Sequence, residues 1–256
     1  MSAERDLSLR GGESVSAAFK RRGYCTEIAD LTKVYDASEL RRYGAVFVCL
    51  HGPGGEDGSG CKLIPDEVLS KGATETSLEL AVMVKDPQKP QSASSRGVWR
   101  CEAQADVPAA GRTWSSASSK GLVLPIMEFK TDLLWQNLAS KNALWDWDGL
   151  AANSKTIEKV CPATSLHSSA LEMVRSSTLA IYEWLGCRGA LNVEFRVDAQ
   201  GTAFFVGVSS IPAMTPTSVH AACAAAAGIS FDRVCETILL AATTDKNALD
   251  SLEQKL

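Results

Sequence analysis

No stretch of this 256-residue chain approaches the roughly 18 to 20 consecutive apolar residues needed to cross a bilayer. Its opening, MSAERDLSLR, is too charged for a secretory leader, so a soluble protein of the cytoplasm or an organelle interior is expected. Basic charge is also in short supply. The 26 Lys and Arg against 30 Asp and Glu give a net charge of -4, with no surplus to follow a phosphate backbone, which argues against nucleic acid as a partner. The one basic run, Lys20, Arg21 and Arg22, reads as a solvated helix end. The eight cysteines contain no CxxC pair, and several sit in apolar patterns such as VFVCL and FDRVCETILL. Reduced and mostly buried thiols are expected, not a zinc site or a disulfide framework.

What the chain does have is a core, with 45% apolar residues, enough for one large domain or two modest ones. GGESVSAAFKRR has helical spacing through Val15, Ala18 and Phe19, and Gly23 follows as a terminator. YCTEI and AVFVCL then read as strands around a short helical turn, DASELRRYG, which suggests a parallel α/β layer. Directly after AVFVCL comes HGPGGEDG, residues 51 to 58. A Gly-rich loop at the carboxyl end of such a strand is where ligands bind in open α/β sheets, although glycine clusters are also ordinary turn punctuation.

SLELAVMVK, residues 77 to 85, alternates as a strand, and the Ser-, Ala-, Pro- and Gly-rich segment from 86 to 121 reads as a long surface insertion. LVLPIMEF is an apolar strand broken at Pro125. Trp135, Trp145 and Trp147 form an aromatic connection, read as packing beneath loops. From Ser165 to Cys187, Ala170, Val174, Ile181 and Leu185 mark one face of a long helix. NVEFRVD and TAFFVGV form a hairpin, and Ser230 is placed to cap a helix from about Phe231 to Ala242.

Taken in order, SAERDLSLRGGESV, LHGPGGEDG, LELAVMV, LVLPIMEF, CPA, GCRGALNVEF and SSIPAMTPTSV resemble the D-alanine-D-alanine ligases, an ATP-grasp family. The resemblance implies an α/β (α+β) fold: an N-terminal Rossmann-like parallel layer over residues 1–66, then the C-terminal part of an ATP-grasp domain over 67–256. Set against the family's motifs, the chain is expected to lack the family's first strand ahead of SAER. Little chain remains between Gly58 and Leu78 for the central ATP-binding subdomain, which is therefore expected to be reduced or missing. A second alignment would instead make Lys85 and the SSRGV run remnants of that subdomain.

The family joins two D-alanines by phosphorylating one carboxylate with ATP and Mg2+, chemistry that rests on positioning and charge neutralisation. By resemblance, Glu4 holds the first substrate's ammonium and His51 lies beside the substrate. Ser218 and Val219 bind the second substrate's carboxylate. On the phosphate side, Asn192 replaces the family arginine, Glu194 stands at a metal-binding aspartate, and Gly207 and Ser209 stand where a glutamate and an asparagine complete the magnesium sites. Asn192 carries no positive charge and Gly207 no side-chain oxygen.

These departures imply a ligase homologue that is impaired or inactive and serves as a structural or binding subunit. The alternatives are an active ligase of peptidoglycan precursor synthesis with an atypical metal site, and a D-alanine sensor without turnover. The resemblance further implies a homodimer, or a larger complex if the chain does not catalyse.

Overall fold

A computed structural model describes residues 5–30, 40, 43, 45–51, 97–105, 121–131, 157–187, 189–197 and 200–242. In chain order these form α1 (Arg5–Arg21), β1 (Gly97–Ala105), β2 (Gly121–Val123), β3 (Met127–Thr131) and β4 (Ile157–Val160). They continue with α2 (Ser168–Trp184), β5 (Leu191–Val197), β6 (Ala203–Ser209), α3 (Val219–Ala226) and α4 (Phe231–Ala242). The strands make one sheet in the order β4-β3-β1-β5-β6, with β2 also paired to β1. Every pairing among the described residues is antiparallel.

β1 is the middle of this sheet, which corrects the reading of 86 to 121 as a surface insertion. Serine and glycine mislead about Gly97–Ala105, because alternate positions there are buried: Cys101 and Ala103 pack into the core beneath α2. Polar composition around a strand says little about a strand covered on both faces.

The break in LVLPIMEF falls as expected. β2 and β3 pair with successive halves of β1, and residues 124 to 126 oppose only Cys101 and Glu102. Pro125 lacks an N–H to donate, so the ladder is interrupted there by one extra residue.

The N-terminal strands are a second correction. YCTEI and AVFVCL carry no strand pairing in the described residues. A strand needs a neighbour to take its backbone hydrogen bonds, whereas these segments are held by side chains. Phe19 of α1 meets Tyr24 at 5.5 Å and Phe47 at 5.8 Å, both edge to face, and the Ser16 and Thr26 hydroxyls lie 2.7 Å apart. The SLELAVMVK strand, the tryptophan connection and residues 94–96 of the SSRG run lie outside the described residues, while the glycine of that run, Gly97, opens β1.

Two cores sandwich the sheet. Under α2, the odd-numbered Cys101, Ala103, Leu191, Val193, Phe195 and Val197 pack with Ala170, Val174 and Tyr182. On the opposite face, Met127 and Phe129 join Val15, Phe19, Val219, Cys223 and Val234 from α1, α3 and α4, together with Met214 from the loop before α3. Phe129 is fully buried, a burial that stabilises by about 2 kcal/mol or more.

α1, α2 and α4 match the expectations closely, while α3 was not expected. Gly23 turns the chain out of α1 at φ 88°. The Ser230 hydroxyl accepts from the Arg233 N–H at 3.3 Å, and its carbonyl from the Val234 N–H at 2.9 Å. The basic end of α1 is not merely solvated, however. Arg21 makes two hydrogen bonds to Asp232, and Arg22 reaches Glu236 of α4 at 2.8 Å. Seven cysteines are described, all as free thiols; five of these are buried. No helix among the described residues is long and apolar enough to cross a membrane.

Candidate functional site

The polar face of β5 and β6 is built by strand periodicity. Asn192, Glu194 and Arg196 alternate on β5 with the odd-numbered residues that enter the α2 core, so all three share the opposite face. Asn192 stands directly across from Ser209, and Glu194 directly across from Gly207. Side chains so placed have Cβ atoms within about 5.5 Å. The four altered positions singled out from sequence thus form one two-by-two patch, at the edge of a register shift where Val206 is the extra residue.

The chemistry of this patch is thin. It holds one carboxylate, one amide and one hydroxyl, with Gly207 contributing no side-chain atom. Among the described residues no cluster of three or more His, Cys, Asp or Glu could hold a metal. Magnesium asks for near-octahedral oxygen ligation with carboxylate help. The described residues do not fit a full magnesium set.

Arg196 is a feature the sequence reading missed, though the period-two spacing after Glu194 would have found it. Its guanidinium is buried, which lowers its pKa to about 10 despite the opposing attraction of Glu194. A desolvated positive charge therefore sits on the same face as the patch, four residues from the uncharged Asn192.

The start of α3 lies over this face as well. His220 Nε2 is 3.3 Å from Oε1 of Gln104, and both side chains are buried. Gln104 shares its face of β1 with Asn192 and Glu194, by the pairings Glu102↔Asn192 and Arg100↔Glu194. Gln104 was missed because it lies in the segment read as an insertion. Ser218 caps α3: its Oγ accepts from the Ala221 N–H at 3.3 Å. That leaves the hydroxyl proton available to donate. The Val219 side chain is buried in the apolar core, so only its main chain can face a ligand.

On the N-terminal side, His51 is buried and its backbone N–H donates to Ser8 Oγ of α1 at 2.9 Å. This pins His51 to the first turns of the helix that follows Glu4. Glu4 itself and the loop after His51 lie outside the described residues. A Cβ on Gly11 would sit 3.5 Å from the Cys49 side chain and 3.7 Å from the Met214 carbonyl, so α1 bridges the His51 segment and the PAMT loop.

Gly186 turns the chain at φ 62°, and the Gly189 carbonyl accepts from the Tyr182 hydroxyl at 3.0 Å. Pro212 and Met214 are buried. Glu128, also missed, accepts from the Thr164 and Ser165 N–H groups and from the Ser165 hydroxyl, and so fixes the loop that carries CPA.

An antiparallel sheet of this order, with a helix behind it and a polar hairpin facing the start of another helix, is the architecture of the ATP-grasp ligases. The family model described as "D-ala D-ala ligase C-terminus" matches residues 63–240, well over half of the chain, and the chain belongs to that family. The D-alanine–D-alanine ligase of Thermotoga petrophila is 26% identical over 291 residues, covering 94% of this chain and 94% of the relative. That of Alkalilimnicola ehrlichii is 28% identical, covering 93% and 91%. A solved D-alanine–D-alanine ligase from Bacillus anthracis, complexed with ATP, superposes with a TM-score of 0.56 at 14% identity, covering 100% of this chain and 97% of that one. That likeness establishes the fold.

Proposed function

We propose that this chain is a D-alanine–D-alanine ligase homologue whose nucleotide side no longer supports efficient catalysis, and which acts as a binding or structural subunit. The observation that carries this reading is the patch of Asn192, Glu194, Gly207 and Ser209, gathered at one point of the hairpin with a single carboxylate and no cation. In phosphoryl transfer, a missing positive donor at the transferring group costs rate directly, since little else lowers that barrier. The substrate side supports the reading by its residue types: Ser218 at the start of α3 and His51 against α1 are both present, buried and held by hydrogen bonds.

The test is a purified full chain incubated with ATP, Mg2+ and D-alanine, followed for phosphate release and for D-alanyl-D-alanine. Background rates are expected. Sustained dipeptide formation would overturn the proposal and favour an active ligase serving peptidoglycan precursor synthesis. One observation supports that second reading: buried Arg196 supplies a charge on the same face as the patch. An R196K variant of an active protein would then lose most of its turnover, because a lysine cannot reproduce a planar two-point contact with phosphate. Stabilisation by D-alanine but not by ATP would mark the chain as a D-alanine sensor.

A further inference from the structure

Two thiols meet where α3 passes the loop that follows β4. Cys161 Sγ lies 3.9 Å from Cys223 Sγ and 3.7 Å from the Pro125 carbonyl oxygen. Cys161 is half-buried, while Cys223 is fully buried within the core shared by α1, α3 and α4. We propose that Cys161 and Cys223 form a reversible disulfide, a redox modification site that ties α3 to the loop held by Glu128. The pairing joins two pieces of the candidate site, because α3 begins at Ser218 and the loop leads into α2. It holds whether or not the chain turns over ATP.

The surroundings set Cys161 apart from three buried cysteines. Cys49, Cys187 and Cys235 are pushed up to about 12 by burial, so they stay protonated and unreactive. Cys161 moves the other way: its hydrogen bond with Cys223 holds it below the ordinary thiol value, against the opposing effect of burial. Its partial exposure gives a small oxidant access, and its resolving thiol is already in place. A disulfide requires the sulfurs to close from 3.9 Å to a bond of about 2.05 Å.

Hydrogen peroxide is the oxidant. The Cys161 thiolate attacks one peroxide oxygen and breaks the O–O bond, giving a sulfenic acid and a hydroxide that becomes water. The Cys223 sulfur then attacks the sulfenic sulfur. The S–S bond forms, the S–O bond breaks, and the leaving hydroxide takes up the Cys223 proton as a second water. The thiols give up two electrons and the peroxide accepts them; a small thiol reverses the step by exchange.

The test uses the full chain, treated with a small excess of hydrogen peroxide, then alkylated, digested without reductant and mapped by mass spectrometry. A Cys161–Cys223 linked peptide is expected, lost on adding dithiothreitol. Oxidised protein should unfold a few degrees higher, because the cross-link spans 62 residues and constrains the unfolded chain. C161S should abolish both the link and the shift. The mapping reads the wild-type protein directly, so it stands even where a variant folds poorly. The proposal is overturned if both thiols stay free, if either links to another cysteine, or if oxidation ends as a sulfinic acid on Cys161.

Discussion

Glu194 faces Gly207 across the β5–β6 ladder, one carboxylate opposite a residue with no side chain. Replacing Gly207 with glutamate puts a second carboxylate directly across the strand. Like charges so placed repel, so G207E is expected to unfold at a lower temperature in EDTA than the wild type. Magnesium should reverse that loss and bind roughly 10-fold more tightly than to the unaltered chain, because two hard oxygen ligands replace one. Isothermal titration and thermal unfolding with and without Mg2+ check both parts. Equal magnesium affinity in the two proteins would mean that the patch does not face a site a cation can enter.

The junction of α1 and α4 gives a prediction in pH. The buried Glu236 carboxylate accepts from Arg22 and Arg233 at 2.8 and 2.7 Å, and from the Tyr24 hydroxyl at 3.3 Å. Burial pushes this carboxyl up, but the hydrogen bonds and charges of Arg233 and Arg22 outweigh burial and hold it below the ordinary value. A folded pKa below the unfolded one, near about 4.3, means the unfolded state binds the extra proton first. The contribution is therefore complete above the unfolded pKa and is lost as pH falls through the folded pKa. E236Q should flatten this acid limb and cost about 3 kcal/mol at neutral pH, since two arginines lose their buried partner. Urea unfolding across the acid range measures both. A wild type and variant with parallel pH profiles would refute the assignment.

Glu128 predicts local rather than global change. Its buried carboxylate takes the Thr164 and Ser165 N–H groups, so E128A removes the acceptor for both and should cost about 1 to 2 kcal/mol. Hydrogen exchange at those two amides is expected to quicken by about 10- to 100-fold, ahead of exchange in the β5 strand. E128Q, which keeps one acceptor oxygen, should fall between. Uniform acceleration over the whole sheet would show that Glu128 supports the fold at large and not this loop.

How much of this was readable beforehand follows from which interactions are local. α4 and its Ser230 cap, the break at Pro125 and the β5–β6 hairpin all rest on neighbours in sequence: a hydroxyl three residues from an amide, a residue lacking an N–H, a turn between two alternating runs. The facing of Asn192 with Ser209 follows from the hairpin as well, because register there is set across one turn. β1 was hidden for the opposite reason. Its partners are β3, β2 and β5, and its burial depends on α2 and not on its own composition. The contact of Gln104 with His220 spans 116 residues, and Arg22 with Glu236 spans 214. No periodicity reports pairs so distant. YCTEI and AVFVCL show the reverse error: strand propensity was present, but it yields a strand only where another strand supplies the ladder.

Ser218 allows structure and binding to be separated at one position. Its hydroxyl accepts from the Ala221 N–H and closes the first turn of α3, so S218A should cost about 1 kcal/mol. Loss of D-alanine binding in that variant alone would be ambiguous, because the helix start is loosened too. S218D resolves it: aspartate caps a helix as well as serine, and its charge is favourable at a helix N-terminus, so stability should be kept. The same charge repels a substrate carboxylate, and D-alanine should no longer raise the unfolding temperature. Parallel thermal unfolding of wild type, S218A and S218D, with and without D-alanine, reads both effects. If S218D is still stabilised by D-alanine as strongly as the wild type, Ser218 serves α3 as a cap and does not contact the ligand.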